Sequence, residues 1–339
     1  MLAPYLIQYP WLLHVLCLGL LPLLFLLAGW AVGRWFHHPR RGCRVGLVLG
    51  LLFAGTYLYG SYVGSREFEV SRYELAFADL PPAFDGYRIV LFSDAHVGTL
   101  TGPRQQLLRQ AVDSINAQRS DLVVFAGDLV NAHPDELLEH LPILRHIRTR
   151  DGIYAVLGNH DYGTYALSAD APSASNSHDE TLVQSPLRLA LVNLQQDELH
   201  WRVLDNSHRV LHRGGDSIVI AGMENDGEGR FPQLGRIGRA LLGVSRSDFV
   251  VMIEHDPTSW RRKILPECHA QLTLSGHTHG GQLSLFGAWS PAGLHYTEYD
   301  GTYAVGERRM VVSTGLSGVI PFRLGVTPEI VVITLRTKK

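Results

Sequence analysis

The sequence predicts an α/β fold preceded by two transmembrane helices, and three observations support this prediction. The chain of 339 residues begins with two apolar stretches that carry no charged side chain. From about residue 66 onward, short runs rich in Val, Ile and Leu alternate with amphipathic segments, which is typical of parallel strands joined by helices. Several of these runs end in His, Asp or Asn. We therefore expect a membrane anchor at residues 1–65 and a globular domain at residues 66–339.

The composition argues against several classes of protein. A formal net charge of -2 at pH 7 gives no sign of a nucleic-acid-binding surface. The three cysteines lie far apart in the chain, at Cys17, Cys43 and Cys268, so the sequence supports neither a disulfide framework nor a cysteine-rich zinc site. The 17 histidines are a high count, so their positions in the chain are informative about function.

Two stretches fit the length of a membrane-spanning helix. Trp11–Gly33 and Val45–Val63 contain no Asp, Glu, Lys or Arg, and each comes near the roughly 20 residues that a helix needs to cross a bilayer. Each also contains a GxxxG pair, which permits close contact between helices. A cleaved signal peptide is the alternative for the first stretch, but residues 1–10 lack the basic side chains usual at its start.

The charges around the two spans predict their orientation. The short loop between the spans carries four arginines, whereas the basic residues that follow the second span alternate with acidic ones. By the positive-inside rule, this loop lies in the cytoplasm and the globular domain lies outside it. We expect a multi-pass protein of the inner or plasma membrane with an extracytoplasmic domain. The loop arginines are Arg34, Arg40, Arg41 and Arg44.

The globular domain is predicted to begin with a βαβαβ unit. Its three strands alternate with two candidate helices, near Pro103–Gln118 and Pro134–Arg148, and five later apolar runs supply further strands. The predicted strands, in chain order, are Arg88–Ser93, Leu122–Ala126, Ile153–Leu157, Ser217–Ala221, Phe249–Ile253, Ala270–Ser275, Met310–Ser313 and Ile330–Leu335.

Five of the predicted strands end in residues that can bind a metal ion. Ligand sites in open α/β sheets gather beyond the carboxyl ends of the strands. Residues i and i+2 of an extended segment also point to the same side, so a DAH or an HTH sequence can present two ligands to one place. A single Asp or Asn after a strand is usually part of a turn, but five such strand ends make independent turns a poor explanation. The candidate residues are Asp94, His96, Asp128, Asn159, His160, His255, His277 and His279.

The residue types indicate which ions this site would bind. Imidazole nitrogens with carboxylate and amide oxygens, and no thiolate, favour Mn, Fe, Zn or Mg. Even without His160, the seven remaining candidates are more than one tetrahedral ion takes, which favours two ions that share a bridging carboxylate. Two ions ~3.5 to 4 Å apart can hold a hydroxide between them and clamp a phosphoryl group during in-line attack. The chemistry suggested is hydrolysis of a phosphomono- or phosphodiester.

The ordered motifs DAH, GDLVN, GNHD, EHD and GHTHGGQ resemble those of the calcineurin-like metallophosphoesterase family, over roughly residues 86–336. The segments YELAFADLPPAFDGYRIVLFSDAHVG and PFRLGVTPEIVVITLR are similar in particular to its membrane-attached YkuE-like branch. The resemblance implies a two-sheet β-sandwich flanked by helices. It also implies a metal-dependent phosphoric ester hydrolase, with phosphodiesterase activity and manganese among the possibilities.

The resemblance also implies roles for individual residues. Asp94, His96 and His279 would hold the first ion, and Asp128 would bridge the two ions. The second ion would be held by Asn159, His255 and His277. His160, in GNHD, matches the histidine that contacts the phosphate and donates a proton to the leaving oxygen. This chain departs from the family's GDxxD pattern, since Asn131 stands where the second aspartate would support that histidine, and a neutral amide stabilises imidazolium less than a carboxylate does.

Two alternatives accompany this interpretation. One is a cytoplasmic-facing hydrolase of a lipid-linked pyrophosphate such as UDP-2,3-diacylglucosamine, with which the two spans and the apolar sequence Leu285–Trp289 are compatible. The other is a metal-binding module without turnover, against which the complete ligand set and His160 argue. The expected partners are therefore a phosphoester substrate and the bilayer. In the first alternative, the substrate is lipid-linked.

Overall fold

The computed structural model describes residue 9, residues 11–167, residue 172 and residues 178–338. The first residues of the predicted anchor, 1–8 and 10, and the last residue of the chain lie outside this described part. Two helices at the N-terminal end of the described chain are long and apolar enough to cross a membrane. The first predicted span lies inside its helix, and the second ends one residue beyond its helix, at Val63. The two helices are α1 at Trp11–Trp35, which includes a π-helical turn at Leu16–Leu20, and α2 at Pro39–Tyr62.

These two helices pack as an antiparallel hairpin through glycine. A Cβ atom on Gly29 or Gly33 of α1 would collide with the backbone of α2 around Gly42. A Cβ atom on Gly46 would likewise collide with the backbone at Phe25. The small residues therefore let the backbones approach closely, as in membrane helix pairs, while many leucines on both helices stay exposed.

The rest of the chain forms two six-stranded mixed sheets packed face to face, which confirms the predicted two-sheet sandwich. The first sheet has the order β1-β12-β2-β3-β4-β5, and the second has the order β10-β11-β9-β8-β7-β6. The strands are β1 Glu69–Phe77, β2 Arg88–Phe92, β3 Leu122–Ala126, β4 Ile153–Val156, β5 Arg202–Val203, β6 Ser207–Arg213, β7 Asp216–Gly222, β8 Val250–Ile253, β9 Leu272–Ser275, β10 Gly301–Val305, β11 Arg308–Val312 and β12 Glu329–Thr337.

The core lies between the two sheets and on their outer faces. Inward-facing side chains such as Leu91 and Val124 of the first sheet meet Ile220, Val251 and Leu274 of the second. These strands read as continuous apolar runs because both faces of each sheet are covered. The eight predicted strands are all present, whereas β1, β5, β6 and β10 were not predicted from the sequence.

Short helices cover the outer faces of the sheets. The predicted helix near Pro103–Gln118 is confirmed as α3, but the one predicted at Pro134–Arg148 is wrong. That segment forms only a 3-10 turn at Pro134–Leu137 followed by one short helix, because Pro142 lacks the N–H that a continuous helix needs and clashes with the preceding turn. The helices are α3 Gln105–Ala117, α4 Leu141–Leu144, α5 Pro186–Asn193, α6 Ile237–Ala240 and α7 Leu265–Glu267.

The parallel pairing brings five strand ends to one end of the sandwich. In the first sheet β2, β3 and β4 are parallel neighbours. In the second sheet β8 and β9 are parallel neighbours. The loops that follow these strands are joined by backbone hydrogen bonds, from Asp94 N–H to the Gly127 carbonyl at 2.9 Å and from Gly276 N–H to the His255 carbonyl at 3.1 Å. The predicted ligands therefore come together at this end.

Candidate metal centre

The loops after the strands hold their side chains in a strained backbone conformation. Non-glycine residues seldom adopt a positive φ, and such residues tend to persist where the surrounding structure fixes them, often at functional sites. Five of the seven predicted ligands have one. They are Asp94 (φ 50°), His96 (φ 41°), Asp128 (φ 58°), His277 (φ 73°) and His279 (φ 53°).

Asp94, His96 and His279 form the first group of candidate ligands. Their ligand atoms all lie within 4.8 Å of one another, and His279 Nε2 is 3.7 Å from Asp94 Oδ1. The Asp94 carboxylate also accepts the His277 backbone N–H at 3.0 Å, which fixes its orientation. Gly276 must be a glycine here, because a Cβ atom would collide with this carboxylate.

Asp128, His255 and His277 form the second group, again with ligand atoms within 4.8 Å. His255 Nδ1 lies 2.6 Å from the Ala126 carbonyl, which can only accept, so Nδ1 carries a proton and Nε2 is the ring nitrogen that would bind an ion. His277 Nε2 lies 3.2 Å from a carboxylate oxygen of Asp256 and 3.0 Å from the Tyr296 hydroxyl. Its Nδ1 atom is 3.3 Å from His255 Nε2, a separation suited to two nitrogens that bind the same cation.

Asp128 lies between the two groups. Its Oδ2 atom is 3.6 Å from His96 Nε2 and 3.2 Å from His255 Nε2. Burial opposes ionisation of this carboxyl, but His255, His160 and His96 lower the pKa of Asp128 well below its usual value. For His255, burial lowers the pKa and the carboxylates of Asp128 and Asp94 outweigh it, so the pKa rises well above the usual value. The carboxylate of Asp128 therefore lies within reach of candidate ligands from both groups.

The donor set fits divalent ions. His96 Nδ1 and Nε2, His279 Nδ1 and Asn159 Oδ1 are buried and make no hydrogen bond within the described part of the chain. Leaving buried polar atoms without partners is costly, and a bound ion would satisfy them. Nitrogen and oxygen donors without thiolate suit borderline or hard divalent metals.

His160 lies at the edge of the two groups, half-buried and close to His96, with ring centroids 4.9 Å apart. Its Nδ1 atom is 2.6 Å from the backbone carbonyl of Asn131, so Nδ1 carries a proton and Nε2 is the free ring nitrogen. Its ring stacks on Tyr165 with centroids 4.1 Å apart. The sequence drew attention to the neutral side chain of Asn131, but the ring is held by the backbone at that position.

Two aspartates that the sequence did not single out hold the ligands in place. Asp161 accepts hydrogen bonds from the backbone N–H groups of Asp128 at 2.9 Å and Gly158 at 2.9 Å. Asp256 contacts His277 Nε2, as described above. Asp161 follows the predicted acid His160 in GNHD, and Asp256 follows the predicted ligand His255 in EHD. That adjacency was a signal that they belong to the site.

The two groups open into a cleft of about 310 Å³. Aromatic and apolar side chains form much of its wall, and Phe231 meets the His277 ring edge-on at 4.7 Å between centroids. Arg230 adds a cation to the same wall. The lining residues outside the two groups include Tyr165, Arg230, Phe231, Gln282, Tyr296, Val319 and Ile320. An anionic group next to the candidate ligands would therefore meet both a cation and aromatic surface.

A two-sheet sandwich with clustered His, Asp and Asn side chains beyond its strand ends defines a metallophosphoesterase, a metal-dependent phosphoester hydrolase. The chain belongs to the calcineurin-like phosphoesterase family, whose model matches residues 87–281. Members of the family bind divalent metal ions. The predicted family is confirmed.

The chain is similar to several known proteins. The chain is 30% identical to the uncharacterized metallophosphoesterase YkuE of Bacillus subtilis, over 86% of this chain and 94% of that protein. It is 31% identical to a transmembrane protein with metallophosphoesterase domain of Danio rerio over 82% of this chain, but the match spans only 60% of that longer protein. Among solved structures, a dimetal phosphatase from Danio rerio is similar over 69% of this chain and 90% of its own, with 14% identity and a TM-score of 0.39.

Proposed function

We propose that the protein is a membrane-anchored phosphoesterase that uses two divalent ions to hydrolyse phosphomono- or phosphodiesters by in-line attack. The observation that carries this proposal is the position of Asp128, with one carboxylate oxygen 3.6 Å from His96 and 3.2 Å from His255. A carboxylate between two sets of donors is the arrangement that a bridged pair of ions requires.

We assign the ligands as the sequence predicts. Asp94, His96 and His279 hold one ion, and Asn159, His255 and His277 hold the other. When bound, the two ions activate a water molecule and neutralise charge on the phosphoryl group. The chain contributes the fixed positions of these ligands, because backbone hydrogen bonds and buried carboxylates orient them before substrate arrives.

His160 is the proposed general acid. Its Nδ1 proton is held by the Asn131 carbonyl, so in the doubly protonated ring the proton on Nε2 is the one that would pass to the leaving oxygen. Stacking on Tyr165 fixes the plane of the ring. The backbone N–H of His160 donates to Asp128 Oδ1 at 2.8 Å, which fixes the position of the acid relative to the proposed bridging carboxylate.

We further propose that residues 1–65 anchor the protein as a two-span hairpin and that the catalytic domain, residues 66–339, lies outside the cytoplasm. The apolar exposed surface of α1 and α2 and their close glycine contacts support two spans. The arginines at the turn between the helices support the orientation. A C-terminal alkaline phosphatase fusion should be active and a fluorescent protein fusion dark; the reverse pattern would contradict the orientation.

The enzymatic proposal is tested with the purified full-length chain. With Mn²⁺ added, it should cleave bis-p-nitrophenyl phosphate or p-nitrophenyl phosphate. Mutating a residue that only hydrogen-bonds to a metal ligand typically lowers activity ~10- to 100-fold. Asp128→Asn should lower it by more than this, because Asp128 is itself an assigned ligand. The matched control is Asp135→Asn, an exposed carboxylate in a nearby loop, which should leave activity unchanged. Absence of metal-dependent cleavage of both substrates would favour a binding module without turnover.

A further inference from the structure

One loop of the catalytic domain exposes large apolar side chains beside the cleft. We call residues 285–289 the apolar loop. Phe286 is fully exposed, and Leu285 and Trp289 are exposed as well. Among the described residues after Arg66, Phe286 and Trp289 are the exposed aromatic side chains. Clustered exposed apolar residues of this kind mark interaction surfaces.

The tip of the apolar loop is also a strained turn. Hydrogen bonds from Leu285 N–H to the Trp289 carbonyl at 2.8 Å and from Ala288 N–H to the Leu285 carbonyl at 3.1 Å close it. Its two central residues, Phe286 and Gly287, have φ of 57° and 65°. Such turns favour Asn-Gly, so a bulky aromatic residue here is costly in backbone conformation as well as in exposure. Both costs would be offset if the phenyl ring entered an apolar phase.

The base of the apolar loop is tied to the end of the second membrane helix through residues 318–324, which we call the linking segment. Ser284 N–H donates to the Leu324 carbonyl at 2.8 Å. One residue earlier, Arg323 N–H donates to the carbonyl of Gly60 in α2 at 3.0 Å. Phe322 stacks on Tyr57 of the same helix, with ring centroids 6.1 Å apart. The loop therefore starts next to the point where the predicted span ends.

The linking segment also forms part of the cleft wall. Val319 and Ile320 line the cleft together with the candidate ligands His277 and His279. Gln282 Nε2 donates to the Ile320 carbonyl at 2.8 Å, which joins this wall to the loop that carries His279. Apolar side chains of the linking segment thus contact the helix end, at Phe322, and line the cleft, at Val319 and Ile320, and we call these three residues the apolar path.

A buried arginine strengthens the connection between membrane helix and cleft. Arg323 is 2% exposed. Its Nη1 donates to the His279 carbonyl at 3.0 Å and its Nη2 to the Thr314 carbonyl at 2.8 Å. Because its backbone binds Gly60 while its guanidinium binds the loop of a candidate ligand, the helix end and the cleft have a fixed separation.

We propose that the apolar loop inserts into the bilayer that α1 and α2 cross, and that the cleft receives the phosphoester headgroup of a lipid from that same bilayer. This inference rests on the proposed function and names its substrate class. A lipid held in the leaflet can present its phosphate to the cleft along the apolar path while its acyl chains stay in the membrane. Soluble phosphoesters can enter the cleft but gain nothing from the loop.

The reaction on such a lipid is a plain hydrolysis. The oxygen of one water molecule forms the new bond to phosphorus. The bond from phosphorus to the leaving oxygen breaks, its electron pair stays on that oxygen, and the oxygen takes up one proton. The products are an alcohol and a phosphate group that keeps the oxygen from water, so no redox partner is required.

The position of the loop is tested without any measurement of activity. In full-length protein with Cys17, Cys43 and Cys268 replaced by alanine, Phe286→Cys is labelled with a fluorophore and reconstituted in phosphatidylcholine vesicles. Nitroxide groups on the upper acyl chain should quench this label strongly. A label at Leu242→Cys, an exposed apolar position elsewhere on the domain, should be quenched weakly. Equal, weak quenching at both positions would overturn the inference and leave the proposed function untouched.

The substrate class is tested with pairs that share a scissile bond. We compare phosphatidic acid with glycerol 3-phosphate, and phosphatidylglycerol with glycerophosphoglycerol, using the reconstituted full-length protein. Turnover should be higher on the lipid member of whichever pair is cleaved. Equal turnover on both members would overturn the lipid assignment.

A variant of the loop separates membrane contact from folding. Phe286→Asn combined with Trp289→Ser keeps a residue that tolerates positive φ at the turn. It should lower lipid turnover roughly tenfold or more, the scale set by losing burial of a large apolar side chain, with bis-p-nitrophenyl phosphate turnover unchanged. Leu242→Ser should change neither. Equal loss on lipid and aryl phosphate would contradict the inference, whereas no aryl phosphate hydrolysis by the unmodified protein would instead overturn the proposed function.

Discussion

The catalytic sandwich and the helix hairpin are held together in different ways. In the sandwich, apolar side chains are buried between two sheets and polar side chains are fixed at one end by hydrogen bonds and positive φ. In the hairpin, the backbones touch at Gly29, Gly42 and Gly46, and the large apolar side chains face outward. The contrast indicates that substitutions at the end of the sandwich that carries the candidate ligands should change turnover. Substitutions at the hairpin contact should change only how the two helices pack.

The largest expected effect lies at the polar end of the sandwich. His160→Ala should lower turnover by ~10² to 10⁴ because it removes the proposed general acid. It should leave bound metal unchanged, since His160 is not an assigned ligand. His133→Ala is the control, because this histidine caps the 3-10 turn that starts at Pro134 and its side chain is partly exposed. Loss of metal from the His160 variant would contradict its role as acid.

A smaller effect is expected from the carboxylate that organises the loops. Asp161 accepts backbone N–H groups from Asp128, Leu129, Val130 and Gly158, at 2.9 to 3.2 Å. Asp161→Asn places an amide NH₂ against these donors, and losing hydrogen bonds to a charged group typically costs about 1.5–3 kcal/mol. Thermal unfolding in detergent should show a lower Tm for the variant. An unchanged Tm would mean that the loops do not depend on this carboxylate.

The smallest effect on turnover is expected in the hairpin. A side chain at Gly42 would collide with the Gly29 backbone, whereas one at Gly55 meets open space. Gly42→Val should therefore weaken the helix contact by about 1–3 kcal/mol, the usual cost of forcing extra side-chain volume into a packed contact, and Gly55→Val should not. Unfolding of the hairpin in detergent measures the difference. Loss of aryl phosphate turnover in the Gly42 variant would contradict the claim that the hairpin contact does not affect the chemistry of the sandwich.

The sequence predicted the candidate site better than it predicted the segments around it. Seven candidate ligands could be named because each follows a continuous apolar run, and parallel strands bring such ends together. Asp161 and Asp256 were missed because they bind backbone or another ligand, which strand-end reasoning does not detect. The wall residues Tyr165, Arg230 and Phe231 lie in loops whose course depends on tertiary packing.

The fold shows the same division. The eight strands with continuous apolar runs were predicted, whereas β1 was not, since it alternates exposed and buried residues at the edge of its sheet. The prediction of a helix at Pro134–Arg148 was wrong because it followed the amphipathic pattern of the segment and neglected that Pro142 interrupts a helix. The glycine contact of the hairpin was foreseen at Gly29, Gly33 and Gly46, but Gly42, which meets both Gly29 and Gly33, lies outside the two GxxxG pairs.

The most direct test of the central claim is the number of ions bound to each chain. Elemental analysis of full-length protein, loaded with Mn²⁺ and dialysed, should give two ions per chain. Asp128→Asn should give one or none, because this carboxylate is proposed to bind both ions. A single ion per chain in the unmodified protein, or two ions retained with full activity in Asp128→Asn, would contradict a centre in which two metals share Asp128.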